Sequence, residues 1–368
     1  MENIKRTKEL KNGFTGLDNK GNTCYMNCVI QSLSNSYKFT RYIRKLNDTE
    51  TYQDSDSDSQ DNYENINLSN IQHKKIAVNY VKLIQAIWGK EYKIITPTSF
   101  YKSFIDKYKQ YKVNYEHDAR DFTFDLLSEL HESFAQKCVS LIVSPYSSKH
   151  FINSLQEWTC YFDNKKSFLS ENFYGQYLEN YTCDTCGNVF YKYSAFLSIN
   201  IKCHKSGTSI QDLIYSTMKS DTIKSKCKIC LQENTIDYPD LEDMPDHLKT
   251  PYHTLQSFIY KLPNVLIVYN KCFNVVNNKY IKTKEIPKID ETLDLYKKVW
   301  SNSCESVMYK LSSIIYHQGD INNGHYFTVV KRNEKYHLFN DSVIEKDIDI
   351  NKIKSMPYMF FYEKYNCK

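Results

Sequence analysis

Apolar residues fall at Met26, Val29, Ile30 and Leu33, the i, i+3, i+4, i+7 spacing of a helix with one buried face, and that helix begins near Cys24. Asn22 or Thr23 can cap its first turn. A second stripe, Ala77, Tyr80, Val81, Ile84, Ile87 and Trp88, predicts another helix that stops at Gly89. A third follows Pro97, where Phe100, Phe104 and Tyr108 recur every four residues, and a fourth carries Ala119, Phe122, Leu126, Leu127, Leu130 and Phe134. Beyond Phe173 the period changes. Short alternating segments run to Tyr260, and from Leu262 the sequence reads as strands. LPNVLIVYN is an apolar run after a proline, too short and too β-branched for a helix, and Tyr326 to Val330 alternates.

Two stretches break the pattern. Residues 1–13 read as a polar arm. Asn47 to Asn70 is polar and acidic around Asp-Ser-Asp-Ser-Asp-Ser, and without apolar anchors it cannot bury enough surface to order itself. It is therefore read as a disordered surface insertion at 47–70. Phosphorylation of Ser55, Ser57 or Ser59 and a solvated loop with no role both remain open there.

Composition bounds the function. The chain has 368 residues, 41% hydrophobic and 25% charged, enough for a sizeable core in one large or two small domains and too balanced for disorder throughout. A net charge of +5 without a Lys/Arg run does not point to nucleic acid as a partner. No apolar run of about 18 residues offers a membrane span. The opening MENIKRTKELKN lacks the apolar region of a secretory signal, so an intracellular protein, cytoplasmic or nuclear, is expected. There, the 12 cysteines are read as metal ligands, catalytic groups or ordinary thiols rather than disulfides.

Cys24 sits where unpaired N–H groups and the positive end of a helix dipole favour a thiolate over a thiol. Five residues upstream, Asn19 lies in a short loop ending at Gly21, so its amide can point at an oxyanion formed on a carbonyl that Cys24 attacks. The alternative is one more buried thiol. A nucleophile needs a base, and His317 and His325 compete for that role. His325 follows Gly324 at the start of a strand, where a loop-to-strand junction can project a ring into a cleft. Cys183 and Cys186 form one Cys-x-x-Cys turn, and Cys227 and Cys230 form another. Two such turns complete a tetrahedral four-sulfur site suited to Zn2+, with free thiols as the alternative; four protein ligands leave no open position, so the ion would be structural. Glu116, Asp118 and Asp121 crowd the start of the fourth helix, where the dipole favours acids.

The run from Gly16 to Leu33, GLDNKGNTCYMNCVIQSL, resembles the cysteine box of the ubiquitin-specific proteases, papain-like deubiquitinating enzymes whose pattern is G-L-x-N-x-G-N-T-C-Y-M-N and then a Gln, here Gln31. Their second box, Y-x-L, H-x-G, G-H-Y and F-[DN]-D, is matched by Tyr309 to Leu311, His317 to Gly319, Gly324 to Tyr326 and Phe339 to Asp341. Glu116 to Phe122 is similar to Q-Q-D-A-x-E-F, with Glu116, His117 and Asp121 as departures. LPNVLIVYN looks like the L-P-x-x-L-x-x-x-L-x-R-F strand, except that Cys272 stands where the family has Arg, and PYMFFYEK is similar to the closing strand. The likeness extends from Gly16 to Tyr362.

The resemblance implies that Cys24 is the nucleophile, that Asn19 helps build the oxyanion hole and that His325 is the general base, with His317 as a supporting histidine. Asn340 would orient His325, since an amide oxygen can fix the imidazole tautomer without adding charge. Asp341 is a possible co-participant, able to reach the histidine only if the Asn-Asp pair sits in a turn. Asp118 would grip the basic C-terminal tail of ubiquitin, Tyr326 would flank that tail, and Gly319 to Gly324 would form a mobile flap. Asn274 to Tyr280 reads as a polar turn where the family has a loop that blocks or opens the tail channel. Cys28, Cys138, Cys160, Cys203, Cys272, Cys304 and Cys367 are read as ordinary thiols.

The fold implied is α+β and papain-like. After the arm 1–13 come a helical thumb at about 14–170, β fingers at about 171–260 carrying zinc on Cys183, Cys186, Cys227 and Cys230, and a β-sheet palm at about 261–368. The activity implied is thiol-dependent hydrolysis of the bond after the C-terminal glycine of ubiquitin on protein conjugates, by a monomer, with a narrow channel favouring Gly-Gly. A catalytically silent ubiquitin-binding scaffold is the rival reading, and the presence of Cys24, His325 and Asn340 argues against it. A zinc-dependent nucleic-acid module lacks the basic stripe it would need.

Overall fold

Helix α1, Cys24–Ser34, is buried along its whole length rather than on one stripe. Met26, Val29, Ile30 and Leu33 form the apolar face, and the polar residues between them tie the helix to its neighbours. Gln31 Nε2 donates to the Thr15 carbonyl at 2.8 Å, the hydroxyls of Ser32 and Thr328 lie 2.8 Å apart, and Asn27 reaches the far end of the chain. Buried polar groups need partners. Here the partners sit on other elements, so the polar residues of α1 mark cross-ties, not a wetted face.

The structure, a computed structural model, describes residues 13–46, 74–89, 91–138, 147–234, 245–276, 279–300, 307–320 and 323–365. The arm before Gly13, the acidic insertion and Ser55, Ser57 and Ser59 lie outside the described residues, as do Cys304 and Cys367. Around α1 pack α2 (Tyr37–Lys45), α3 (Lys75–Trp88), α4 (Thr98–Lys107) and α5 (Ala119–Phe134). The punctuation read from the sequence holds at α3, which ends at Gly89, and at α4, which begins after Pro97; the structure adds that Asp118 caps α5 by accepting from the N–H groups of Arg120 and Asp121. A further helix, α6 (Lys149–Tyr161), packs against the first sheet.

The strands follow in order: β1 (Gly175–Cys183), β2 (Val189–Phe196), β3 (Ser198–Ile201), then helix α7 (Ile210–Thr217), β4 (Asp221–Lys224), β5 (Tyr252–Lys261) and β6 (Val265–Asn270). Next come β7 (Phe273–Val276), β8 (Lys279–Lys282), β9 (Thr292–Asp294), β10 (Met308–Gly319), β11 (Gly324–Arg332), β12 (Lys335–Asn340), β13 (Val343–Ile348) and β14 (Met356–Tyr365). Strands β2-β1-β5-β4 form a four-stranded antiparallel sheet. The large sheet runs β13-β12-β11-β10-β14-β6-β3 with β9 also on β10, and its one parallel pair is β6 with β3.

Both faces of the large sheet are covered. Val265, Ile267, Met359 and Phe361 join the core that contains α1, while Leu266, Val268, Phe360 and Tyr362 pack with Ile210, Leu213 and Ile214 of α7. A strand buried on both faces reads as an unbroken apolar run, which is why LPNVLIVYN shows no alternation. Helices packed against largely antiparallel sheets make this an α+β fold. One local expectation is corrected: within the stretch read as a polar turn, Asn274 to Val276 and Lys279 to Tyr280 are paired residues of strands β7 and β8. His325 stands at the start of a strand as read, one residue after β11 opens at Gly324.

At the far end of β11, Arg332 is buried against α1 and α3. Its Nε donates to Asn35 Oδ1 at 2.8 Å and its Nη1 to the Gly13 carbonyl at 2.9 Å, while the rings of Phe14 and Trp88 lie 4.9 Å from the guanidinium. Burial pulls the group down to about 9, and the aromatic faces offset part of that cost.

Candidate active site

The site begins at Gly16, where the backbone runs against the turn after β12. A Cβ there would lie 2.5 Å from the Ser342 carbonyl oxygen, so only glycine lets the Leu17 N–H reach the Asp341 carbonyl at 2.9 Å. Three residues on, the Thr23 N–H and hydroxyl both donate to Asn19 Oδ1, at 2.9 and 3.2 Å. That pins the amide with its oxygen toward the helix start and turns Nδ2 to Asp341 Oδ2 at 2.9 Å. Asn19 Nδ2 keeps a second hydrogen beyond this bond. The expected side-chain cap is not made. Thr23 holds the N-cap position without a cap bond because its hydroxyl is engaged by Asn19, and Asn22 donates instead to the Asn114 carbonyl at 2.9 Å. Cys24 opens α1 with no side chain capping that end.

His325, on β11, meets Cys24 from the sheet. Its Nε2 lies 2.6 Å from Asn340 Oδ1, leaving Nδ1 for the sulfur. Hydrogen bonding to Cys24 raises the imidazole to about 9 against the opposing effect of burial, and the Asn340 bond and the charges of Cys24 and Asp341 add to the rise. Asn340 Oδ1 is an acceptor, so it fixes Nε2 as a donor.

Asp341 does sit in a turn, at φ +51°. Its Oδ2 is 3.9 Å from His325 Nε2, but its hydrogen bonds go elsewhere: Oδ1 accepts from Asn27 Nδ2 at 2.7 Å and Oδ2 from Asn19 Nδ2. Asn27 is completed by the Tyr101 hydroxyl, which donates to its Oδ1. The sequence reading missed Asn27 although it stands in the quoted box, three residues after Cys24. Its signal was an Asn amid a helix otherwise read only for its apolar stripe.

The two histidines are separated by their surroundings. His317 is buried on β10, its Nδ1 2.7 Å from Lys282 Nζ, and Lys282 donates as well to the carbonyls of His317 and Gly319 at 3.0 and 2.7 Å. Burial, then the Lys282 charge, pulls His317 down to about 4, so it is neutral near pH 7. Lys282 was not singled out from sequence; it lies on β8, near the buried Cys272 that stands where the resemblance has Arg. The Tyr326 ring packs 4.6 Å from His317 and 5.3 Å from Tyr358, whose hydroxyl donates to Asp118 Oδ2 at 2.5 Å. Asp118 Oδ1 caps α5 at 2.6 Å from the Arg120 nitrogen. Both oxygens of Asp118 are thus engaged within the protein, and Tyr358 links Asp118 to Tyr326.

A second group of sulfurs gathers where β1 ends. The sulfurs of Cys183, Cys186, Cys227 and Cys230 all lie within 4.8 Å of one another, with Cys183 to Cys230 at 3.7 Å and Cys186 to Cys227 at 3.6 Å. These gaps are far too long for disulfides and close to the roughly 3.8 Å edge of a sulfur tetrahedron whose metal–sulfur bonds are about 2.3 Å. Burial opposes a thiolate at Cys183, yet the N–H groups of Cys186 and Thr185 bring it down to about 7. The four cysteines can hold a metal ion.

The chain matches the family model described as ubiquitin carboxyl-terminal hydrolase over residues 15–362. It is 27% identical over 371 residues to ubiquitin carboxyl-terminal hydrolase Usp2 of Drosophila melanogaster, a match covering 97% of this chain and 35% of that protein. It is 24% identical over 369 residues to ubiquitin carboxyl-terminal hydrolase 2 of Homo sapiens, covering 95% of this chain and 55% of that one. The chain therefore spans about a third to about a half of the length of these curated relatives. A probable ubiquitin carboxyl-terminal hydrolase of Acanthamoeba polyphaga mimivirus is 22% identical, with 95% of this chain and 90% of that protein covered. In fold, the chain resembles the SAGA DUB module of Ubp8, Sgf11, Sus1 and Sgf73 bound to monoubiquitin, with a TM-score of 0.70 at 17% identity over 98% of this chain and 71% of that one. The chain belongs to the ubiquitin carboxyl-terminal hydrolase family.

Proposed function

We propose that this chain is a cysteine-type deubiquitinase that hydrolyses the bond after the C-terminal glycine of ubiquitin on protein conjugates. One observation carries the reading: Cys24, His325 and Asn340 meet in a single site beside an Asn19 amide whose direction is set. The family assignment supports it, and so does a fold neighbour whose solved structure holds monoubiquitin. The Cys24 sulfur attacks the glycine carbonyl carbon, the C–S bond forms, and the displaced electron pair goes to the oxygen. There the second Asn19 Nδ2 hydrogen meets it. As the C–N bond breaks, the His325 imidazolium gives its proton to the departing amine. Water then gives a proton to His325 and attacks the thioester, the C–S bond breaks, and ubiquitin leaves as a carboxylate. Asn340 orients His325, while Asp118 and Tyr326 line the path of the tail.

A ubiquitin carrying a thiol-reactive C-terminal group should form a 1:1 covalent adduct with the chain, and ubiquitin-like proteins with the same group should react poorly. No adduct with ubiquitin, or preference for another modifier, would remove the substrate assignment. The chemistry needs reduced thiols, so the reading carries an intracellular location, cytoplasmic or nuclear, and action as a monomer.

The raised His325 sets a pH dependence. Its protonated form, held up to about pH 9, is the acid that releases the amine. Hydrolysis should fall on the alkaline side around pH 9, and Asn340→Ala, by removing one of the bonds that raise it, should move that limb to lower pH. The sign for stability is the same: the contribution is full below the ordinary histidine value of about 6.5 and is lost as pH rises through about 9. A pH–rate profile of kcat/KM checks this, and an alkaline limb unmoved by Asn340→Ala would detach Asn340 from the base.

For the four-cysteine cluster we propose structural zinc. When bound there, zinc joins the two Cys-x-x-Cys turns and does no chemistry on substrate. Metal analysis should return about one zinc per chain, and Cys227→Ser should lower the stability of the four-stranded sheet before it affects Cys24 labelling. Metal-free protein of undiminished stability would discard the site.

A further inference from the structure

We propose that Glu116 is a positioning residue that sets the approach of His325 to Cys24 across the cleft, acting through the backbone of Gly324. The proposal rests on the Cys24–His325 chemistry above. Glu116 Oε2 accepts the Gly324 N–H at 2.7 Å, joining the loop before α5 to the first residue of β11, immediately before His325. The same loop holds the nucleophile's side. The Asn114 carbonyl accepts from Asn22, two residues before Cys24, and the ring of His117 packs 5.3 Å from Tyr25, directly after it. His117 is fixed in turn by accepting the Lys112 N–H at 2.9 Å. One short loop therefore holds the side chains of Asn22 and Tyr25 beside Cys24 and the backbone of Gly324 beside His325.

The other ties between α1 and β11 explain why this one matters. Ser32 with Thr328 and Asn35 with Arg332 pin the interface at its middle and far end. At the catalytic end, Asp341 fastens the β12 side through Asn19 and Asn27. On the β10 side, where Gly319 and Gly324 close the ladder, Glu116 ties β11 itself to the helical layer, alongside the bond from Tyr358 on β14 to Asp118. A glycine carries no side chain to pack, and Gly324 cannot be enlarged because a Cβ would lie 2.1 Å from His317 Nε2. Beyond the ladder with β10, the hydrogen bond from Glu116 is what ties this backbone to the helical side. Glu116 is exposed, so its truncation opens no cavity and should leave the fold intact.

The test compares Glu116→Ala with Glu116→Gln in the full chain, because glutamine keeps an oxygen that can accept the Gly324 N–H while losing the charge. With a fluorogenic ubiquitin amide, Glu116→Ala should lower kcat by about 10- to 100-fold with KM within about twofold, the size expected for a misplaced reacting group. Iodoacetamide alkylation of Cys24 needs no substrate. Its rate at pH 7 should fall about threefold or more in Glu116→Ala, as His325 is displaced from the sulfur. Glu116→Gln should restore both. Unchanged alkylation and kcat in Glu116→Ala overturn the proposal. So does a rise in KM alone, which would make Glu116 a charge contact for a basic tail, and so does a glutamine variant as impaired as the alanine one. Failure of the wild-type chain on ubiquitin counts against the substrate and leaves the alkylation comparison to decide on Glu116.

Discussion

Cys24→Ala should abolish covalent capture by thiol-reactive ubiquitin and lower kcat by about 10⁴-fold or more, since removing a covalent nucleophile leaves only binding and the oxyanion donor. Cys28 is the natural control. It lies one helical turn on, is equally buried, and donates from its sulfur to the Tyr25 carbonyl at 3.2 Å. Burial pushes its thiol up, and the nearby Cys24 and Asp341 charges push the same way, so Cys28 stays protonated and unreactive. Cys28→Ala should therefore label nearly as the unaltered chain does. Mass analysis of the adduct decides the matter: label that survives loss of Cys24, or that moves to Cys28, ends the assignment.

The second large effect separates two adjacent residues. Asn340→Ala removes the acceptor that orients His325 and should lower kcat by about 10- to 10³-fold. Asp341→Ala acts on different atoms. It removes the acceptor that directs the Asn19 Nδ2, whose amide Thr23 still holds by its oxygen, and leaves the buried Asn27 Nδ2 only its longer 3.4 Å bond to the Leu17 carbonyl. Loss of an oriented oxyanion donor costs about 10²- to 10³-fold in kcat, and loss of a buried hydrogen bond to a charged group costs about 1.5–3 kcal/mol in stability. Thermal unfolding should thus register Asp341→Ala and scarcely register Asn340→Ala. Because Asn340 holds the base by a hydrogen bond while Asp341 gives its hydrogen bonds to Asn19 and Asn27 and reaches His325 by charge alone, the double variant should lose close to the product of the two losses. A double variant markedly worse than that product would mean that each covers for the other at His325, placing Asp341 back beside the base.

The α1, α3, α4 and α5 helices were legible because each keeps an apolar stripe and carries a start or stop residue. Helix α6 was not, since among its residues only Ser154 and Trp158 are buried and no stripe forms. The β7–β8 hairpin was misread for a similar reason: Val275 and Ile281 are more than half exposed, so no alternation marks a buried face. Cys24 and His325, the proposed nucleophile and base, were legible through the two boxes, and the structure brings the two together. The partners that orient them were less so. Asn27, Lys282 and Glu116 act through atoms 314, 35 and 208 residues away, and no local pattern announces such pairings. Asp341 was singled out, but a turn alone does not say whether its carboxylate serves His325 or, as here, Asn19.

The burial of α1 on all sides has a consequence during synthesis. Asp341 follows Asn19 by 322 residues, and at typical ribosomal speeds of about 5–20 residues per second the nucleophile waits roughly 15–60 s for the turn that organises it. Ser32 and Asn35 wait nearly as long for β11. Until then the emerging chain offers Cys24 neither an imidazole nor an oriented amide, and its helix has no sheet to lie on. A half-made polypeptide is thereby kept chemically harmless, and the thiol is armed only when nearly all of the described fold has left the ribosome.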